Sequence, residues 1–171
     1  AGTNGKGTVT AFVGSMARAA GQRVGVYTSP HLCRFAERIN IGGAPLEDDK
    51  LVVYLNQVMD IGPDLTFFEV ATVAAFLAFR DAQVELAVIE VGLGGRLDAT
   101  NVIPPPRVAA ITRVSYDHVA ELGDSLSKIA FEKAGIIKQG SAVVLGKLHP
   151  DAREQAAKRM AEVGAREVPL G

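Results

Sequence analysis

Four short apolar runs, each stopping abruptly at polar or glycine residues, govern what this chain can fold into: RVGVYTS (23–29), ELAVIEVG (85–92), RVAAIT (107–112) and SAVVLG (141–146). Short continuous apolar runs, as opposed to alternating ones, are the pattern of strands buried on both faces, as in parallel sheets. Between and around them lie stretches of helical periodicity at residues 8–20, 48–60, 69–80, 126–138 and 151–163. Strand alternating with helix predicts an open, mostly parallel α/β sheet flanked by helices, and in that architecture ligands collect outside the carboxyl ends of the strands. Residues 34–46, RFAERINIGGAPL, alternate polar and apolar up to Gly42-Gly43 and predict an extended edge segment or small hairpin. The prolines of VIPPPR (102–107) favour polyproline geometry and a stiff connector. With no internal repeat and no low-complexity tract, the sequence reads as one domain without an internal boundary.

The 171 residues are 48% apolar and 22% charged, enough to build a core without a disulfide. Cys33 has no second cysteine to pair with and reads as a small buried apolar residue; a lone thiol points to a reducing, cytoplasmic compartment. A formal net charge of -1 with mixed signs offers no field for nucleic acid or an anionic membrane. No apolar run approaches the ~20 residues that cross a bilayer.

The first eight residues, AGTNGKGT, look like a phosphate-cradling loop but do not match G-x-x-x-x-G-K-[ST], because Gly7 stands where the hydroxyl should be. Thr3, Asn4, Gly5, Lys6 and Gly7 offer a row of N–H donors and one cation ahead of a helix whose N-terminus carries partial positive charge. In such loops the missing hydroxyl binds magnesium, so either Thr8 or Ser29, from TSPHL at the end of the first apolar run, must supply it. Glu90 sits near the carboxyl end of a strand that is otherwise apolar; an unpaired carboxylate buried there would cost several kcal/mol, and a hard cation is its natural partner. GLGGRLDATN then packs glycines, Arg96, Asp98 and Asn101 into one loop. Asp117-His118 follow the third apolar run, where an imidazole can ligate a metal. Lys133, among Ala130, Phe131, Ala134 and Ile136, is a candidate for a lowered pKa through desolvation, with a snorkelling stem as the alternative. Glu69 reads either as a helix-start carboxylate or as a contact to substrate or to a metal-bound water.

Together GTNGKGT, SPHL, FFE, EVGLGGRLDATN and DH followed by LGDSLSKIAFEKAGI resemble the folylpolyglutamate synthase and dihydrofolate synthase family of the Mur ligase superfamily, with the likeness running to about residue 145. The resemblance implies a P-loop NTPase-like central domain of an ATP-dependent amide ligase, in which a carboxylate takes the γ-phosphoryl group and the amine of L-glutamate displaces phosphate. It implies that Thr3, Asn4, Gly5, Lys6, Gly7 and Thr8 bind ATP. Ser29, Glu90 and His118 match the ligands of a first magnesium, Ser29 replacing the hydroxyl that Gly7 lacks. Lys133 matches a lysine that is carbamylated and reaches a second magnesium, and Lys6, His118 and Lys133 are the implied catalytic residues. Thr66, Phe67, Phe68 and Glu69, with Leu97, Asp98 and Ala99, match positions that contact the pterin-bearing substrate, a folate or dihydropteroate. SYDH stands where the family more often has a glycine-leucine pair before DH.

The family's strand before the loop and its C-terminal domain, which contributes to ATP and glutamate binding, have no counterpart in these 171 residues. The chain is therefore expected to be part of a larger, monomeric, cytoplasmic ligase, and to be inactive alone. A Mur-type ligase acting on a cell-wall nucleotide peptide is the alternative enzyme, disfavoured by TFFE and GLGGRLDATN. A nucleotide-binding module without ligase chemistry is the alternative class, disfavoured by the joint presence of Glu90, His118 and Lys133.

Overall fold

The structure, a computed structural model, describes residues 1–170. They form two compact units, one of Gly7–Gly92 and one of Ala1–Lys6 with the segment from Leu93 onward.

The first unit runs α1 (Lys6–Ala19), β1 (Val24–Tyr27), a 3-10 turn (Phe35–Arg38), β2 (Ile39–Ile41), β3 (Ala44–Pro45), α2 (Asp48–Ile61), α3 (Phe67–Asp81) and β4 (Leu86–Ile89). The sheet order is β3-β2-β1-β4. β1 and β4 are parallel, in register from Val24 against Leu86 to Tyr27 against Ile89, and β2 and β3 add the hairpin expected around Gly42-Gly43. α3 packs on this sheet through small residues: Ala71, Ala74 and Ala75 are fully buried, with Tyr27 and Ile39 beneath. Gly25 lets this happen, because a Cβ there would lie 2.6 Å from the Phe79 ring. The core's one phenol is not orphaned, since Tyr27 shares a 3.2 Å hydrogen bond with Thr72.

The second unit contains a 3-10 turn (Ala99–Val102), β5 (Val108–Ile111), α4 (Val119–Leu122), α5 (Leu126–Ala134), β6 (Ala142–Leu145), α6 (Pro150–Val163) and β7 (Arg166–Glu167). β5, β6 and β7 form a parallel sheet in that order. Its core joins Ile111, Val143 and Leu145 of the strands to Ile129, Ala130 and Ile137, and to Ala156 and Met160 of α6.

All four apolar runs are strands and all five periodic stretches contain helices, as the sequence pattern predicts. Four details differ. The described strands pair as two sheets where the pattern implied one. α5 ends at Ala134, short of residue 138, with Gly135 as its C-cap; the backbone there comes so close to Arg96 that a Cβ would sit 2.3 Å from its Cβ. The four-residue α4 and two-residue β7 are too short to show a period. Cys33 is exposed and not part of a core: it lies in a loop in which the amides of Leu32, Cys33 and Arg34 all donate to the Glu37 carboxylate.

Candidate functional site

In the first unit the parallel register of β1 and β4 brings both carboxyl ends to one edge. Glu90 follows β4 there and its amide donates to Tyr27 O at 2.9 Å. Glu90 is 6% exposed, and its carboxylate accepts from the Ser29 amide at 3.2 Å. The absence of a side chain at Gly7 matters here. A Cβ at Gly7 would already touch Glu90 Oε2 at 3.5 Å, so a larger residue would fill the space over the carboxylate. Ser29, Glu90 and Gly7 thus come together at this edge, through the Ser29 amide and the open space at Gly7.

In the second unit the N-terminal loop is docked along β5 and beyond. The Ala1 amino group donates to Ala110 O, Thr112 N donates to Ala1 O, and Thr3 N donates to Arg113 O. The Thr3 hydroxyl donates to Ser115 O and accepts from Ser115 N, while Thr112 Oγ1 donates to Asn4 O at 2.7 Å. Gly5 takes φ +82°, a left-handed turn that returns the chain to α1, which begins at Lys6. Lys6 Nζ donates to Gly2 O at 2.9 Å, curled over its own loop. Asn4, Gly5 and Thr8 are exposed at the start of this helix, where free N–H groups and the helix dipole favour an anion.

Lys133, in the same unit as Lys6, lies near enough to feel its charge. It is 4% exposed, on the face of α5 that also buries Ile129, Ala130 and Ala134. Burial, aided by the positive charge of Lys6 and opposed by Asp117, lowers its pKa from 10.5 to about 8. The desolvating neighbours are not all those expected from sequence: Phe131 is 53% exposed and stacks under Arg96 at 5.4 Å. His118 is exposed, in the left-handed region at φ 48°, and caps α4, with Nε2 3.7 Å from Asp117. A non-glycine residue held there stores strain of a kind that gathers at functional sites.

The residues expected to touch substrate divide. The Glu69 carboxylate accepts from both the amide and the hydroxyl of Thr66, closing a capping box at the start of α3, and these bonds hold its pKa below the usual carboxylate range. Phe67 is 64% exposed, whereas Phe68 is half-buried and lies against Gly92. Asp98 accepts from Leu93 N, Thr100 N and the Thr100 hydroxyl, so its carboxylate shapes the loop, leaving Leu97 exposed and Ala99 half-buried. Sequence reading passed over Glu37 and Arg38, which lie in the stretch assigned to the edge hairpin.

No cluster of three or more His, Cys, Asp or Glu side chains suited to a metal occurs among the described residues. A magnesium here would keep phosphate and water oxygens in its shell beside its protein ligands, as is usual for that ion.

Comparison with known proteins agrees with this geometry. A family model described as the Mur ligase middle domain matches residues 1–167. The dihydrofolate synthase/folylpolyglutamate synthase of Bacillus subtilis (strain 168) is 42% identical over 161 residues, covering 89% of this chain and 37% of that protein. Among solved structures, E. coli FolC in complex with DHPP and ADP superposes with a TM-score of 0.93 at 39% identity, over 100% of this chain and 41% of that one. A bifunctional folylpolyglutamate synthase/dihydrofolate synthase with Mn, AMPPNP and L-glutamate bound gives a TM-score of 0.89 at 42% identity, over 99% and 41%. The chain thus spans about two fifths of the length of these relatives.

Proposed function

Because the chain belongs to the Mur ligase middle-domain family, we propose that it is the central ATP-binding domain of a larger amide ligase that joins L-glutamate to a folate, to dihydropteroate, or to both. The observation that carries this reading is the buried Glu90 carboxylate at the joint end of β1 and β4, beside the Ser29 backbone and under the space left by Gly7. A P-loop without its own hydroxyl needs a metal ligand from elsewhere, and Ser29, whose amide donates to the Glu90 carboxylate, is the residue proposed to supply it. Named relatives solved with ADP, and with Mn, AMPPNP and L-glutamate, support ATP and a divalent cation as cofactors.

When bound, ATP and magnesium supply the phosphoryl group that activates a substrate carboxylate toward the glutamate amine. Each residue's part follows from its setting. The amides of Asn4 to Thr8 and the Lys6 ammonium bind phosphate oxygens, which requires Lys6 to leave Gly2 O. Ser29, Glu90 and His118 would hold one cation. Lys133, with its lowered pKa, has a neutral amine available at physiological pH, which is the form that takes up carbon dioxide to give a carbamate, an oxygen ligand for a second cation. Phe67, Phe68 and Leu97 supply apolar surface to a pterin. The expected partners are small molecules. Among the described residues no helix is long and apolar enough to cross a membrane, and the ligase is proposed to act as a cytoplasmic monomer.

Lys6→Ala in the full-length protein that carries this sequence should lower kcat at least ~100-fold, since a charge on the phosphoryl group gains most in the transition state. Near-normal kcat would remove the loop from the mechanism. Product analysis with dihydropteroate and with a reduced folate decides which substrate is used.

A further inference from the structure

We infer that Arg38 is the anchor for the carboxylate of an aromatic substrate, which under the reading above, on which this assignment rests, is the acid end of the pteroyl group. Arg38 closes the 3-10 turn Phe35–Arg38 and is 8% exposed. Its guanidinium carbon lies 5.5 Å from the ring centre of Phe35 and 5.5 Å from that of Phe67, and the two rings meet edge to face at 5.3 Å. Nε donates to His31 Nδ1 at 2.9 Å, the one hydrogen bond of this side chain among the described residues. No carboxylate pairs with it there. A guanidinium this deep is costly to keep charged unless an anion joins it, and cation–π contacts do not neutralise it.

The unused end of the guanidinium is reachable. No buried side-chain nitrogen among the described residues lacks a partner, so the two terminal amino groups, which donate to no protein acceptor, open to solvent. They do so beside Phe67, whose ring is 64% exposed. A nearly buried cation presenting a free planar fork next to an open aromatic face suits a planar anion that carries its own ring: the fork takes the carboxylate and Phe67 stacks the ring. His31 fixes the fork. Because Nδ1 accepts from Arg38, it carries the lone pair, and the proton of the neutral imidazole sits on Nε2 as a further donor. Its ring is in turn held edge-on by Phe35 at 5.8 Å.

The test is equilibrium binding to the full-length protein that carries this sequence, read by pterin fluorescence, with dihydropteroate and its primary carboxamide as probes and a magnesium-nucleotide titration as control. Wild-type protein should bind the acid roughly tenfold more tightly than the amide, the value of one charge-assisted hydrogen-bond pair. Arg38→Met should lose about that factor for the acid and leave the amide and the nucleotide unchanged, and Arg38→Lys should restore part of the loss. Equal wild-type affinity for acid and amide overturns the assignment whether or not any variant folds. Equal loss of both probes in Arg38→Met also overturns it, assigning Arg38 to packing alone, and in both cases retained pterin and nucleotide binding leaves the ligase reading standing. Wild-type protein that binds nucleotide but neither pterin probe overturns the substrate reading and this assignment with it.

Discussion

Lys133 is buried at 4% exposure with its pKa lowered to about 8 from 10.5, so it is a cost to the fold at neutral pH. The sign follows from proton counting. Between about 8 and 10.5 the unfolded chain binds this proton and the folded chain does not, so the Lys133 contribution to stability rises with pH across that window. Below about 8 the full penalty applies, on the order of 3 kcal/mol. Lys133→Met should therefore be more stable than wild type at pH 7 in carbon-dioxide-free, metal-free buffer, with the difference shrinking toward pH 10.5, as denaturant titrations at several pH values will show. The same variant should lose most ligase activity. If the carbamate forms, wild-type rate should depend on dissolved bicarbonate, and acetate should partly rescue Lys133→Ala; absence of both effects excludes it. The burial of Glu90 is legible in sequence, because an acidic residue ending an apolar run has few bland explanations, whereas for Lys133 the sequence leaves a snorkelling stem as the alternative to a desolvated amine. Which neighbours desolvate Lys133 was not legible: Phe131 is next in helical sequence but points to the opposite, solvent-facing side, where Arg96 covers it.

At the scale of elements, the start of α3 shows how one motif can serve the fold first. Thr66 accepts from the Glu69 amide while Glu69 accepts from Thr66, so TFFE is a capping box as well as a candidate substrate contact. Thr66→Ala should cost about 1 kcal/mol by thermal or chemical denaturation. The Glu69 half of the box depends on its charge: with its pKa held below 4.5 by the Thr66 bonds, its contribution is present above that value and is lost as pH falls through the lowered one. Strands and long helices could be read from the chain because each buries a continuous stripe. The segment from Thr28 to Arg38 could not. Its order comes from one carboxylate, Glu37, collecting the amides of Leu32, Cys33 and Arg34, and from Thr28 N donating to Arg38 O at 3.0 Å. Such backbone-to-side-chain closure leaves no period in the sequence, and alternation of polar and apolar residues mimicked a longer strand. Arg38 was hidden for the same reason, since in a hairpin it would alternate to the solvent side.

For the whole molecule, two units with separate sheets and cores carry different parts of the proposed chemistry: Ser29, Glu90 and Arg38 in one, and Lys6, His118 and Lys133 in the other. The relatives extend well past the matched segment, which is about two fifths of their length. The 171-residue chain by itself should bind magnesium-nucleotide by calorimetry and yet form no folate-glutamate product by mass spectrometry, and detectable product would refute that division of labour. The Thr28–Arg38 loop has a further consequence. It carries the proposed metal ligand Ser29 at one end and the proposed carboxylate anchor Arg38 at the other, and the hydrogen bond from Thr28 N to Arg38 O closes its neck beside the Tyr27–Ile39 pair of β1 and β2. Two ligands gripped by one such clasp are thermodynamically linked: by whatever factor the nucleotide and its cation raise affinity for the acid, the acid must raise affinity for them. Loosening the neck should reduce both factors together, so cooperativity between the two ligands is a property of eleven residues of loop.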